Sequence, residues 1–272
     1  VIRRIIILAL LLTTGIARAA GTIVVHTAAP HNRTVEFVYR LPSHTPSGQI
    51  NTVMVVFGGR NWNGADALRQ LDFSALADRF GLALLSPGFK DDDYWEPEKW
   101  SGQALHDALK ASAKRCHVKD FTLLYYGYSA GGQCANLFYM WHPERVLAWG
   151  SHACGVWGDP EKVKRSCPAL ITCGIQDKER WEISRNFVQR AGELGWRRMW
   201  CELPGEHELS PEALALANAF FTAVLSGEKT ICWGDDQTGK ISNNADKIDQ
   251  ELRSYLPGDD VKKRWLKQMG NR

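Results

Sequence analysis

The sequence predicts an α/β fold built on a mostly parallel sheet. Two observations carry this. Runs that are apolar almost throughout, among them Ile50 to Phe57, Leu82 to Ser86 and Ala169 to Gly174, alternate with stretches of helical period. Strands lacking a polar side are those covered on both faces of a parallel sheet. The second observation is Phe121 to Gly132, where an apolar and aromatic run passes through Gly127-Tyr128-Ser129-Ala130-Gly131 into a helical pattern starting at Gln133. This G-x-S-x-G spacing is that of a sharp strand-to-helix turn with an exposed serine at its apex. Small residues two before and two after the serine let strand and helix approach without a side-chain clash.

In chain order, Arg3 and Arg4 precede an apolar run from Ile5 to Leu12, and Ala17-Arg18-Ala19 supplies the small residues of a cleavage site. Residues 1–19 are therefore expected to be a secretory signal peptide, placing the mature protein in a periplasmic or secreted compartment. The run is shorter than the roughly 20 apolar residues of a membrane span. No later stretch is long or apolar enough either, so no stable membrane anchor is expected.

Thr22 to Thr27 and Arg33 to Leu41 are rich in β-branched and aromatic residues and read as two strands, followed by the strand Ile50 to Phe57. Then come a helix from Ala65 to Phe80, the strand Leu82 to Ser86, a helix from Gln103 to Cys116, and the strand leading to Ser129. Beyond the turn the pattern gives a helix, strands Val146 to Ser151 and Ala169 to Gly174, a helix from Glu182 to Leu194, a strand Arg198 to Leu203, and a helix from Ser210 to Leu225. Residues 20–226 thus form one domain. Residues 227–272 change character and read as an appendage packed on it, with polar helices at Asn244 to Tyr255 and Asp260 to Met269, because so short a piece buries too little core to stand alone.

A composition of 44% hydrophobic and 23% charged residues fits one sizeable globular domain. The net charge of +3 is too small and dispersed for a nucleic-acid partner. None of the seven cysteines shows the C-x-x-C spacing of a zinc or redox site. Asp91-Asp92-Asp93 lacks the spaced oxygen ligands of a calcium loop and reads as solvated. No metal and no cofactor are expected.

In open α/β sheets the site lies beyond the carboxyl ends of the strands. If Ser129 is a nucleophile, it needs a base, and the base needs a carboxylate to hold it. Of the eight histidines, five precede Ser129, His142 lies in or near the following helix, and His152 comes too early to follow a post-strand acid. His207, after the strand ending at Leu203, is the candidate base. Asp177, just after Gly174, is the candidate acid, with Glu179 and Asp159 as rivals. Donors for a developing oxyanion are expected from the backbone of Ala130 and of Gly59 or Arg60, in the loop Phe57-Gly58-Gly59-Arg60-Asn61-Trp62-Asn63-Gly64.

Taken with Cys167-Pro168-Ala169-Leu170-Ile171 and Pro204-Gly205, these motifs resemble the α/β-hydrolase superfamily over about Arg33 to Leu225. More narrowly, the chain is similar to secreted esterases of the polyhydroxybutyrate depolymerase and feruloyl esterase type. The resemblance implies an eight-stranded, mostly parallel sheet, no metal, and hydrolysis of carboxylic esters through an acyl-enzyme. Where many members carry a histidine before the loop glycines, this chain has Phe57. The serine motif also resembles peptidases of the prolyl oligopeptidase kind, whose propeller domain has no room in 272 residues. An exported binding protein with a hydrolase fold and no turnover is the reading from another class.

The expected substrate is a small-molecule or polymer ester. Eleven tryptophans are many, and Trp62, Trp95, Trp100, Trp157 and Trp181 fall near the site-bearing edge, as does Tyr128. Of these, Trp62, Tyr128, Trp157 and Trp181 are the candidate substrate contacts, suited to an aromatic acyl group or a sugar. N-terminal sequencing of the protein from its native host is expected to begin near Ala20; an intact hydrophobic leader in a membrane fraction would overturn the export reading.

Overall fold

The computed structural model describes residues 20–270 apart from Ala29, Asp92 and Arg165. The expected signal segment lies outside the described residues.

Eight strands form the main sheet: β1 (Ala20–His26), β2 (Thr34–Arg40), β3 (Thr52–Phe57), β4 (Ala83–Pro87), β5 (Thr122–Tyr128), β6 (Val146–His152), β7 (Ala169–Gly174) and β8 (Arg198–Leu203), in spatial order β1-β2-β4-β3-β5-β6-β7-β8. The β1–β2 and β2–β4 pairs are antiparallel, and every pair from β4 to β8 is parallel. The chain runs from β3 outward to β4 and then returns to the other side of β3 for β5. Strand order therefore reverses between β3 and β5, and a crevice opens beyond their carboxyl ends, where an open sheet of this kind holds its ligand.

Alternation along the central strands divides the interior into two layers. Val53, Val55 and Phe57 of β3, with Leu123 and Tyr125 of β5, face one side; Met54 and Val56, with Leu124, Tyr126 and Tyr128, face the other. The first layer is covered by α3 (Gly102–Arg115), α4 (Ala130–Trp141) and α5 (Lys178–Glu193). The second is covered by α2 (Ser74–Phe80), α6 (Pro211–Leu225) and α7 (Asp259–Met269). Burial on both faces is why these strands carry no polar stripe.

Three expectations about elements are corrected. The single helix from Ala65 to Phe80 is two, α1 (Gly64–Gln70) and α2, parted at Leu71-Asp72-Phe73. There Asp72 Oδ1 takes the Ser74 N–H at 2.8 Å, the kind of side-chain bond that competes with helix continuation, while Leu71 and Phe73 are fully buried. Helix α5 begins at Lys178, a turn earlier than Glu182, because Lys178, Glu179 and Arg180 are good helix formers placed directly after Asp177. Third, no helix spans Asn244 to Tyr255. Single turns at Ala245–Lys247 and Gln250–Leu252 lead into β11 (Arg253–Pro257), which pairs antiparallel with β9 (Ile231–Asp235) in a small sheet completed by β10 (Ile241–Ser242). Ser254, Tyr255 and Leu256 are buried there, and tertiary pairing outweighs the local polar pattern.

Residues 231–269 are tied to β8 by buried polar contacts. Arg198 Nη1 meets Asp236 Oδ2 at 2.5 Å with both side chains inaccessible, and Ser254 Oγ accepts the Trp200 N–H at 2.8 Å. Trp265 Nε1 donates to the Trp200 carbonyl at 2.7 Å. Burial raises the Asp236 carboxyl above its ordinary value, against the opposing pull of Arg198 and Arg185. Removing Arg198 takes away the nearer guanidinium and leaves the buried carboxylate facing Arg185 at 3.4 Å. Arg198→Met is therefore expected to lower the unfolding free energy by about 3–5 kcal/mol, and Arg198→Met with Asp236→Leu to recover most of it. Urea unfolding of the two variants checks this.

Candidate active site

The turn after β5 is built by contact between backbones. A Cβ on Gly127 would run into the Gly131 carbonyl, and one on Gly131 into the carbonyls of Phe57 and Gly58. Ser129 sits between them at φ 56° and ψ −122°, a left-handed value that a non-glycine residue adopts only when its surroundings impose it. Its N–H donates to the His152 carbonyl at 2.9 Å, which holds the apex against the end of β6. The serine stands at the head of α4 as its N-cap residue, and its side chain makes no capping bond there.

Asp177 follows β7 and is the N-cap residue of α5, yet its side chain makes no capping bond. It turns instead to His207, whose Nδ1 lies 2.7 Å from Asp177 Oδ2. The carboxylate can only accept, so Nδ1 carries the proton and Nε2 presents a lone pair. Ser129 Oγ lies 2.9 Å from that Nε2. Asp177 is 6% exposed, whereas His207 is partly open to solvent. The second carboxylate oxygen is engaged by Arg180 Nη1 at 3.2 Å. Of the rival acids, Asp159 caps a short turn through the Glu161 N–H and Glu179 lies in the first turn of α5.

Among solved structures the chain is similar to a ferulic acid esterase, with a TM-score of 0.62 at 14% identity over 76% of this chain and 98% of that one. The chain has the α/β-hydrolase fold. It is also similar to LpqC, a poly(3-hydroxybutyrate) depolymerase from Bordetella parapertussis, with a TM-score of 0.57 at 17% identity over 75% of this chain and 90% of that one. A putative dipeptidyl aminopeptidase IV from Bacteroides ovatus gives a TM-score of 0.60 at 13% identity over 77% of this chain but 36% of that one. No family model and no curated protein sequence matches the chain.

Within this hydrolase fold, the glycine loop after β3 borders the head of α4. Gly131 packs against the Phe57 and Gly58 carbonyls, which sets the loop that carries Gly59 and Arg60 beside Ala130. Phe57, at the base of this loop, is fully buried with its ring centroid 5.2 Å from Phe138 and 5.7 Å from Tyr125. Aromatic packing thus anchors the loop base.

The aromatic candidates separate into two groups. Trp62 and Tyr128 lie together, centroids 5.7 Å apart, with the Tyr128 ring also against His207 at 5.5 Å. Trp157 instead stacks on Phe187 at 4.3 Å and 11°, and its indole nitrogen, like that of Trp181, is buried without a hydrogen-bond partner. Trp100 is buried, donating Nε1 to Asp93 at 2.8 Å beneath the Arg33 guanidinium, which also pairs with Asp91. The two described aspartates of the acidic run are therefore partnered.

Sequence reasoning set His152 aside as a base and passed over Arg180 altogether. His152 is 1% exposed at the end of β6, and its position just past a strand on the site edge was the available signal. Loss of solvation pulls its imidazole down to about 4. Since an unfolded histidine titrates near 6.5, the unfolded chain takes up this proton first as pH falls. The stability that the neutral ring supplies is whole above pH 6.5 and drains away between there and about 4, a loss of about 3 kcal/mol. Urea unfolding at pH 7, 5.5 and 4.5 is expected to show this slope in the wild type and a shallower one in His152→Gln.

Proposed function

We propose that the protein is an exported serine hydrolase that cleaves carboxylic esters through an acyl-enzyme. One observation carries the reading: the continuous hydrogen-bonded chain from Asp177 Oδ2 through His207 to Ser129 Oγ, at 2.7 and 2.9 Å, on a serine held in a strained turn at the head of a helix. Each distance lies within hydrogen-bond reach for a nucleophile, its base and the group that orients the base.

Ser129 Oγ attacks the ester carbonyl carbon while His207 Nε2 takes the hydroxyl proton. Asp177 holds the imidazole in the required tautomer and stabilises the imidazolium. The electron pair displaced onto the carbonyl oxygen is met by the backbone N–H of Ala130 and that of Gly59 or Arg60. As the C–O bond breaks, His207 delivers its proton to the leaving alcohol. Water then repeats the sequence: His207 removes its proton, hydroxide oxygen adds to the acyl carbon, and Ser129 leaves with the proton as the acid is released.

For substrate, the reading favours an acid or alcohol joined to a carbohydrate or a polyester. Export would place the enzyme among such polymers, and the half-buried Trp62, which packs against Tyr128 beside His207, supplies an aromatic edge to the site. A panel of acetyl, butyryl and feruloyl aryl esters, a polyhydroxybutyrate film and peptide anilides, each run beside Ser129→Ala, tests it. Ester turnover is expected in the wild type, and a loss on the order of 10⁴-fold or more in Ser129→Ala with the fold intact. Activity in the variant within tenfold of wild type would remove Ser129 as nucleophile. Turnover of the anilides alone would replace the esterase reading with a peptidase. A kcat/KM that rises tenfold from acetyl to feruloyl supports an aromatic acyl pocket.

A further inference from the structure

We infer that His152 is a positioning residue: from the end of β6 it holds the loop that presents His207 and thereby sets the imidazole between Ser129 and Asp177. This rests on the reading of Ser129 and His207 as nucleophile and base. His207 stands on the segment Pro204–Leu209, which is neither helix nor strand, so no regular element fixes its direction. The segment is held by ties to neighbouring strand ends. Gln176 secures its start, with Gln176 Oε1 accepting the Gly205 N–H at 2.6 Å and the Gln176 N–H donating to the Gly205 carbonyl at 3.0 Å. Gly174 lets the loop lie close, since a Cβ there would meet the Gly205 and Glu206 carbonyls.

On the far side of the base, His152 Nε2 lies 3.0 Å from the Glu208 carbonyl. A carbonyl can only accept, so Nε2 bears the proton and Nδ1 is the acceptor, filled by the Thr172 hydroxyl at 2.9 Å. That hydroxyl has a second acceptor in the Ser151 carbonyl, but at 3.4 Å it is the weaker one. Thr172 therefore fixes the tautomer that lets His152 hold the loop.

Tyr128 completes the arrangement. Its ring packs against those of both His152 and His207, with centroids 5.8 and 5.5 Å away and planes within 26° and 21°, and its hydroxyl donates to the His207 carbonyl at 3.3 Å. The residues on either side of the peptide link between base and loop, His207 and Glu208, thus each give their carbonyl to a buried ring. Since the His152 carbonyl also accepts the Ser129 N–H, one residue spans nucleophile and base. A shift of an ångström in such an alignment costs about 100-fold in rate.

A histidine that merely fills the core would lower stability when replaced but leave turnover per folded molecule unchanged. The test therefore counts active serines with a fluorophosphonate and reports kcat for p-nitrophenyl acetate per titrated serine, with the low-field proton signal of His207 Nδ1–H as a second readout. His152→Phe keeps a ring against Tyr128 and deletes both polar contacts. It is expected to lower kcat about 10- to 100-fold with KM within about twofold, and to broaden the low-field signal. His152→Gln, whose amide can still donate to Glu208, is expected to recover most of that loss. Turnover per serine within about threefold of wild type in His152→Phe, with a sharp signal, would overturn the inference. If His152→Phe does not fold, the isosteric Thr172→Val decides: a fall in kcat supports the tautomer argument, and unchanged kcat overturns it. A wild type that neither labels nor turns over would defeat the reading of Ser129 itself, and the inference with it.

Discussion

The site depends on how closely strand β5 and helix α4 cross. Their backbones meet at Gly127 and Gly131 with no space for a side chain, and the turn between them can close only with Ser129 in the left-handed region. Such a conformation costs on the order of 1–3 kcal/mol and persists because surrounding packing over-determines it. Here the surroundings are the Phe57 and Gly58 carbonyls on one side and the His152 carbonyl, bonded to the Ser129 N–H, on the other. One constraint therefore fixes the serine, the glycine loop and the end of β6 together, and the loop bearing His207 is then hung from that end.

Burial divides labour among the ionisable groups at this edge. Asp177 is sequestered and engaged by both His207 and Arg180, while His207 keeps some access to solvent, as the proposed role of base would require. His152, sealed beneath Tyr128, stays neutral over the range in which a catalytic imidazole would cycle. Two histidines packed against one tyrosine ring thus differ both in their access to solvent and in their hydrogen-bond partners.

The segment after α6 shows a different logic. Its small sheet and α7 bury Tyr255, Leu256, Val261 and Trp265 in the layer on which Cys201 and Leu203 of β8 also lie. The Arg198–Asp236 pair lies under it without access to water. A buried pair of this kind does little for net stability compared with apolar packing, but it penalises any arrangement in which one charge is left alone. The segment is thereby fixed in one position against the edge strand.

The amino-acid sequence by itself determined the layer pattern and the order of the candidate residues along it. Apolar runs such as Val53–Phe57 fit a strand covered on both faces, and the order of Ser129, Asp177 and His207 just past strand ends follows from counting along the chain. Local signals suffice there because strand period and turn chemistry are short-range properties. The tertiary structure alone decided what depends on contacts between distant residues. Nothing local marks Ser254–Leu256 as a strand until β9 is beside it, and Asp72 breaks a helix whose periodicity is otherwise continuous. Trp157 and Trp62 look alike in sequence, yet one stacks on Phe187 and the other lies beside Tyr128. His152 gains its role only from Thr172 and Glu208, 20 and 56 residues away, because a hydrogen-bonded tautomer belongs to a place in space and not to a stretch of chain.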